Sequence, residues 1–249
     1  MLRSYANARL FGESYGEGPV QVVWLHGWAR RGEDFARAAS TLASRGVASV
    51  ALDLPGFGAT PAPSVPGGAR LYAELVVPAL EEISTGPLIL VGHSFGGTVA
   101  TVVTAERPEL VRALVLIGSP LLRGASPRPG PSRYRAVRWL NTHGLLSDRR
   151  LEDARQKYGS SDYRRVNGVM RAVLVASVNE SYEDELTEVR APVELLWGAD
   201  DKEVPVEIAH RVASLLTGDV DVHVLAGVGH LVPTEAPEAL VDAVSRVLT

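Results

Sequence analysis

The chain has 249 residues, a net charge of −4 and no cysteine, and a chain of this length can bury a sufficient core without cross-links. The absence of cysteine excludes disulfides, thiolate metal sites and a cysteine nucleophile. The mildly acidic balance disfavours nucleic-acid binding, and no apolar run reaches the roughly 20 residues of a membrane span. We therefore expect a soluble cytoplasmic protein, a monomer or homodimer, without membrane or nucleic-acid partners.

The first half of the chain alternates short aliphatic runs with longer amphipathic stretches. The runs lack the in–out alternation of half-exposed strands, which indicates a parallel sheet buried on both faces. Strands are predicted at 21–25, 48–54, 88–91, 111–117, 193–197 and 220–225. Helices are predicted at 34–44, 70–83, 95–107, 206–216 and 237–248. This order predicts an α/β fold with a mostly parallel, doubly wound sheet.

A different kind of segment interrupts the alternation between residues 121 and 189. It opens with a Pro- and Gly-rich linker at 124–131 and continues with predicted helices at 134–142, 149–158, 162–178 and 180–188. Its apolar content argues against a disordered loop. We therefore predict an α/β core of residues 1–120 and 190–249, with residues 121–189 inserted as a helical cap.

The sequence Gly92-His93-Ser94-Phe95-Gly96 directly follows a predicted buried strand and leads into a predicted helix. A serine at such a turn adopts a strained backbone that projects its hydroxyl, and the flanking glycines allow neighbouring chain to pack closely. A Gly/Ser loop that only caps a helix is the alternative interpretation. The context of strand, turn and helix favours Ser94 as a nucleophile.

A serine hydroxyl needs a general base, and the base needs a group that orients it. Among the six histidines, His230 is the candidate base because it lies in a glycine-rich loop after a late strand. The ends of parallel strands are where functional groups collect. The loop after strand 193–197 supplies two neighbouring acids, Asp200 and Asp201, which compete for the orienting role.

The loop after strand 21–25 reads His26-Gly27-Trp28. The oxyanion of a tetrahedral intermediate needs two backbone N–H donors that are aimed at it in advance. We expect these donors from Trp28 and from Phe95, the residue after Ser94. His26 is interpreted as a side chain that braces the loop.

These segments resemble the α/β-hydrolase fold family over essentially the whole chain, specifically its small carboxylesterase-like serine hydrolases with a helical cap. The resemblance is carried by His26-Gly27-Trp28, the loop from Asp53 to Gly58, the elbow at Ser94, the loop from Gly198 to Pro205, and Gly229-His230. It implies that Asp201 is the acid and that Asp53 is structural. Haloalkane dehalogenases and epoxide hydrolases of this fold carry aspartate at the elbow, so Ser94 excludes them.

We therefore predict a serine hydrolase that cleaves short- to medium-chain carboxylic esters through an acyl-enzyme intermediate. These esters are expected to be small molecules. Alternatives are a carbon–carbon bond hydrolase of ring-cleavage products, an esterase or thioesterase of carrier-bound acyl groups, and a binding module on a hydrolase scaffold. No cofactor and no metal are expected, since dinucleotide, phosphate-loop and zinc-helix motifs are missing from the sequence. Candidate substrate-pocket residues are Trp139, Leu146, Met170 and Leu231.

Positive charge is concentrated in the predicted cap. Residues 121–171 contain eleven arginines and one lysine against four acidic residues, a local charge of +8 in a chain of net charge −4. A solvated helix surface is one interpretation. A landing surface for an anionic acyl carrier is the other.

Overall fold

The computed structural model describes residues 1–122, 132–158 and 161–248. The strands are β1 Leu2–Tyr5, β2 Leu10–Tyr15, β3 Val20–Leu25, β4 Ala48–Asp53, β5 Leu88–His93, β6 Val111–Ile117, β7 Val193–Gly198 and β8 Val220–Leu225. They form one eight-stranded sheet in the order β1-β2-β4-β3-β5-β6-β7-β8. β1 pairs with β2 and β2 with β4 in antiparallel fashion, and all other neighbours are parallel.

Eleven α-helices are described within these residues. They are α1 Ala36–Ser44, α2 Ala69–Ile83, α3 Phe95–Glu106, α4 Ser132–Thr142, α5 Asp148–Tyr158, α6 Ser161–Arg165, α7 Gly168–Ser177, α8 Glu183–Glu188, α9 Val206–Leu215, α10 Val232–Glu235 and α11 Pro237–Val247. Short 3₁₀ helices, Gly32–Phe35 and Pro108–Leu110, precede α1 and β6. In the described part of the chain, no helix has both the length and the hydrophobicity to cross a membrane.

Two hydrophobic cores lie on opposite faces of the sheet. One face packs against α2, α3 and α9, and the other against α1 and α11. Along β3, Val23 and Leu25 enter the first core, whereas Val22 and Trp24 enter the second. Both faces are therefore apolar, which explains why the strands lack alternation in the sequence. The predicted doubly wound, mostly parallel sheet is confirmed.

The hairpin of β1 and β2 at the sheet edge was not predicted from the sequence. Its turn places Ala6, Asn7 and Ala8 at positive φ angles of 51°, 56° and 62°. None of these is a glycine, so the usual sequence signal for such a turn is missing. β1 has only four residues, and the hairpin adds the antiparallel pairs to an otherwise parallel sheet.

The prediction of one helix over residues 162–178 is wrong. α6 ends at Arg165 and α7 begins at Gly168. Between them Asn167 is extended, with φ −137° and ψ 178°, and Gly168 has a φ of +53°. A left-handed glycine interrupts helical hydrogen bonding, and the apolar periodicity of the segment hides this break.

The helices α4 to α8 follow β6 and precede β7 in the chain, so they form an insertion between neighbouring strands of the sheet. The carboxylate of Glu180 accepts hydrogen bonds from the Ala69 N–H at 2.9 Å and the Tyr182 hydroxyl at 2.7 Å. The bond from Ala69 fastens the end of the insertion to the start of α2, and the bond from Tyr182 holds the Glu180 carboxylate in position. The predicted linker 124–131 lies outside the described residues, and the division into core and cap at 121–189 stays a proposal.

Gly92 provides a test of how tightly the central strand packs against α3. A Cβ atom at Gly92 would lie 2.5 Å from Gly97 Cα and 2.6 Å from Gly96 O, whereas one at Gly86 would meet nothing within 4 Å. We expect Gly92→Ala to lower the free energy of unfolding by about 1–3 kcal/mol, because backbone atoms must move. Gly86→Ala should change it by less than about 1 kcal/mol. Urea denaturation measures both, and equal losses would contradict the packing argument.

Candidate active site

The strand order reverses around β3, which lies between β4 and β5. In a parallel sheet such a reversal opens a crevice at the carboxyl ends of the strands, where ligands bind. The segments that leave β3 and β5 at this edge are the loop with Trp28 and the turn with Ser94. The topology alone therefore brings these two sequence-predicted segments together.

Ser94 has φ 50° and ψ −117°, a conformation that a residue with a side chain adopts only under constraint. Its N–H donates to Ile117 O at 2.8 Å, which fixes the turn to β6. A Cβ at Gly96 would overlap the carbonyl of Leu25, so the absence of a side chain there lets α3 start against the end of β3. A strained turn of this kind between a strand and a helix is the backbone geometry that exposes a serine hydroxyl. Phe95 opens α3 with an N–H that has no acceptor inside the helix.

His230 and Asp201 form a direct hydrogen bond, with 2.7 Å between Nδ1 of the histidine and Oδ2 of the aspartate. The other oxygen, Oδ1, accepts the backbone N–H groups of Glu203 and Val204, each at 2.8 Å. Asp201 is buried, whereas Asp200 is exposed. Since a carboxylate accepts, Nδ1 of His230 carries the proton and Nε2 is available as an acceptor.

His93 connects the turn of Ser94 to the loop of His230. Its Nε2–H donates to the backbone carbonyl of His230 at 2.9 Å, and the two imidazole rings lie 4.9 Å apart between centroids. Gly118, at the end of β6, has a φ of +50°, and a Cβ there would lie 3.1 Å from Asp201 Oδ2. A glycine at this position therefore leaves room for the aspartate–histidine pair.

The loop of Trp28 lies against the turn of Ser94. A Cβ at Gly27 would lie 3.2 Å from the Cβ of Ser94, so the two backbones are in close contact. His26 braces this loop, because its Nε2 accepts the Leu54 N–H at 2.9 Å and its Nδ1–H donates to the Gly27 carbonyl at 2.7 Å. Both donors expected for an oxyanion, the N–H groups of Trp28 and Phe95, therefore belong to segments that meet at Ser94.

An aromatic cluster surrounds this point. The ring of Trp28 packs edge to face against Phe57 at 5.1 Å and Phe95 at 5.8 Å, and Phe95 packs against Tyr72 at 4.9 Å. Met170 of α7 joins the cluster, with its sulfur 3.8 Å from the Tyr72 hydroxyl. One predicted pocket residue, Met170, thus contacts the aromatic cluster that includes Phe95, the residue after Ser94.

The other three predicted pocket residues lie in different places. Leu231 lines a cleft next to His230. Trp139 is 56% exposed, and its ring packs against His143 at 4.3 Å. The carbonyl of Leu146 accepts a hydrogen bond from Asn141 at 2.9 Å. The contacts described for Trp139 and Leu146 are thus local to α4 and the turn after it. None of these contacts involves Met170 or Leu231.

Sequence reasoning missed His93, Gly118 and Glu203 as parts of this region. Glu203 Oε2 lies 3.6 Å from Nε2 of His230. For Gly118 the sequence does contain a signal, because a glycine directly after a buried strand indicates a close approach of another segment at the end of that strand. No local signal marks His93, because its partner His230 is 137 residues away in the chain. In the described part of the chain no group of three His, Asp or Glu side chains is arranged to hold a metal ion.

The chain belongs to the alpha/beta hydrolase family, whose model matches residues 22–243, and the resemblance found in the sequence is confirmed. A pimeloyl-[acyl-carrier protein] methyl ester esterase of Methylococcus capsulatus is 31% identical, with 84% of this chain and 87% of that protein covered. A 2-hydroxy-6-oxononadienedioate/2-hydroxy-6-oxononatrienedioate hydrolase of Burkholderia vietnamiensis is 26% identical, with 90% and 85% covered. The crystal structure of a bacterial membrane phospholipase A matches with a TM-score of 0.74 at 25% identity, covering 100% of this chain and 84% of that one. The chain is thus a member of a family of hydrolases.

Two buried histidines next to this site make stability depend on pH. Burial lowers the pKa of His93 to about 3, with the neighbouring His230 adding to the effect, and burial lowers the pKa of His26 to about 4. Both side chains are neutral when folded but take up protons when unfolded below their ordinary pKa of about 6.5. The stability that they contribute is therefore present above pH 6.5 and is lost as the pH falls towards 4.

We expect each of these histidines to remove roughly 1.5 kcal/mol from the free energy of unfolding between pH 6.5 and 5. Over the same pH range, the free energy of unfolding of His93→Gln should therefore fall by less than that of the wild type, and the difference should equal this amount. His210→Gln alters an exposed histidine of α9, and its free energy of unfolding should depend on pH as that of the wild type does. Guanidinium denaturation at several pH values measures the difference. Identical pH dependence in the wild type and His93→Gln would contradict the assignment.

Proposed function

We propose that this protein is a serine esterase that cleaves short- to medium-chain carboxylic esters through an acyl-enzyme, with Ser94, His230 and Asp201 as its catalytic residues. The observation that carries the proposal is the hydrogen bond of 2.7 Å between the buried Asp201 and His230. His93 connects the loop of His230 to the strained turn of Ser94. A nucleophile, a base and an acid that orients the base are the parts that acyl transfer needs.

In the acylation step, Ser94 Oγ attacks the ester carbonyl carbon and its proton passes to Nε2 of His230. Asp201 holds the histidine tautomer and stabilises the imidazolium that forms. The N–H groups of Trp28 and Phe95 stabilise the oxyanion of the tetrahedral intermediate. Collapse of the intermediate breaks the ester C–O bond, and the imidazolium gives its proton to the leaving oxygen, so that an alcohol departs.

In the deacylation step, water attacks the carbonyl carbon of the acyl-enzyme and gives one proton to His230. The bond to Ser94 Oγ breaks, the serine recovers a proton from the imidazolium, and a carboxylic acid leaves. The aromatic cluster around Trp28 and the thioether of Met170 supply an apolar wall beside Ser94. Such a wall suits an aliphatic acyl chain.

Three substitutions test the assigned roles. Ser94→Ala should lower kcat for p-nitrophenyl butyrate by on the order of 10³-fold or more, because no nucleophile replaces the hydroxyl. Asp201→Asn should lower it by on the order of 10²- to 10⁴-fold, because the amide favours the wrong histidine tautomer. Asp200→Asn, the exposed neighbour, should change it by only about 2-fold. Steady-state kinetics gives all three values.

Labelling with a fluorophosphonate provides the matching control, since it should modify the wild type and leave Ser94→Ala untouched. Circular dichroism should show the same folded spectrum for all variants. A larger loss in Asp200→Asn than in Asp201→Asn would contradict the assigned acid. Failure to label Ser94 would favour the binding-module alternative, and turnover of a ring-cleavage dienol without turnover of esters would favour carbon–carbon bond hydrolysis.

A second candidate function, hydrolysis of esters on an anionic acyl carrier, is favoured by the charge of the inserted helices. Four of their arginines, Arg149, Arg150, Arg164 and Arg165, are exposed. Arg123 and Arg128 of the same basic stretch lie outside the described residues. The relative from Methylococcus capsulatus is an esterase of an acyl-carrier protein by name, which supports the same substrate class here.

Salt dependence distinguishes a carrier surface from a merely solvated one. If the carrier lands on these arginines, kcat/KM for an acyl-carrier ester should fall about 10-fold between 20 and 300 mM salt, while that for p-nitrophenyl butyrate stays constant. The double variant of Arg164→Gln and Arg165→Gln should lower only the carrier reaction, by about 3- to 10-fold. Arg211→Gln on α9 is the matched control. Equal salt responses for both substrates would contradict the carrier surface.

A further inference from the structure

We propose that Glu203 selects the leaving group, so that this site accepts esters of neutral or cationic alcohols in preference to esters of anionic ones. The inference rests on the proposed esterase function and adds a substrate class to it. Its starting point is the carboxylate of Glu203, whose Oε2 lies 3.6 Å from Nε2 of His230. That nitrogen is the atom that exchanges protons with the substrate in the proposed reaction.

The position of Glu203 is set by the same carboxylate that orients His230. Oδ1 of Asp201 accepts the Glu203 N–H at 2.8 Å, while Oδ2 binds the histidine. The main chain of Glu203 is therefore fixed relative to the imidazole ring. Its side chain is 72% exposed and that of His230 only 9% exposed, so the carboxylate stands between the buried ring and solvent.

A cleft of about 590 Å³ opens at this side of the ring. It is lined by Asp200, Lys202, Glu203, His230, Leu231 and Glu235. Among these described lining residues, three carboxylates stand against one ammonium group, which gives the cleft a negative potential. The carboxylate of Glu235 accepts a hydrogen bond from the Gly229 N–H at 2.6 Å. This bond fixes the negative charge of Glu235 next to the loop of His230.

The chemistry of the reaction places the leaving group in this field. Nε2 of His230 hands its proton to the leaving oxygen, which must come within hydrogen-bond distance of that nitrogen. Substituents on the leaving alcohol then lie within several ångströms of the Glu203 carboxylate. At such distances charges interact measurably even near a protein surface, and added salt weakens the interaction.

Glu203 also stabilises the imidazolium for every substrate alike. Its effect on selectivity is therefore read from the ratio of kcat/KM values for leaving groups that differ only in charge. Three phenyl butyrates serve as probes, substituted at the 3-position with trimethylammonio, tert-butyl or sulfonate. The tert-butyl group is the neutral isostere of trimethylammonio, and comparison of wild type with variant cancels the different intrinsic reactivities of the three esters.

We expect Glu203→Gln to lower the cationic-to-anionic ratio of kcat/KM by about 3- to 10-fold at 20 mM salt. In 0.5 M NaCl the difference between wild type and variant should shrink to less than about 2-fold. Glu207→Gln removes the same charge from an exposed position of α9 that does not line the cleft, and it should leave the ratio unchanged. Lys202→Gln should raise the ratio, because it removes a positive charge from the cleft.

An unchanged ratio in Glu203→Gln, or an equal change in Glu207→Gln, would overturn the proposal while leaving the esterase function standing. A wild-type enzyme that hydrolyses none of the three esters would overturn the esterase function itself. A uniform loss of kcat/KM for all three probes would show that Glu203 acts only on His230, and selection of the leaving group would then be rejected.

Discussion

Ser94 adopts a φ of 50°, and a residue with a Cβ holds this conformation only when its neighbours enforce it. The enforcement comes from the hydrogen bond to Ile117 on β6 and from the close approach of α3 that Gly92 and Gly96 permit. The remaining parts of the site are arranged around this turn. The loop of Trp28 touches it from β3, and His93, the preceding residue, holds the loop of His230.

Most of the core could be predicted because its physical cause is local in the sequence. A strand buried on both faces must be apolar throughout, and the glycines around Ser94 mark where backbones come close. The choice between Asp200 and Asp201 is different, since neighbouring residues carry the same functional group. The fold separates them, because Asp201 is buried and hydrogen-bonded to Nδ1 of His230, whereas Asp200 is exposed to solvent. The resemblance to a family made that choice from the sequence, and the residues alone did not.

The parts that escaped prediction depend on distant contacts or on unusual backbone angles. The role of His93 requires a carbonyl 137 residues away, which no local pattern reveals. The break between α6 and α7 depends on Gly168 in a left-handed conformation, although the apolar spacing continues through it. The edge hairpin turns through three non-glycine residues with positive φ. In each case tertiary structure overrides what the local sequence favours.

The chain order of the site has a consequence for biosynthesis. Ser94 precedes the inserted helices, whereas Asp201 and His230 follow them on the loops after β7 and β8. A ribosome therefore releases the serine long before the residues that would activate it, and domains tend to form from the N-terminal side first. In a growing chain, the Ser94 hydroxyl stays without these partners until the inserted helices have been synthesised and β7 and β8 have joined the sheet. Under the proposed function, Ser94 gains its two partners only after these last strands are in place, so incomplete or misassembled copies would lack the arrangement that ester cleavage requires.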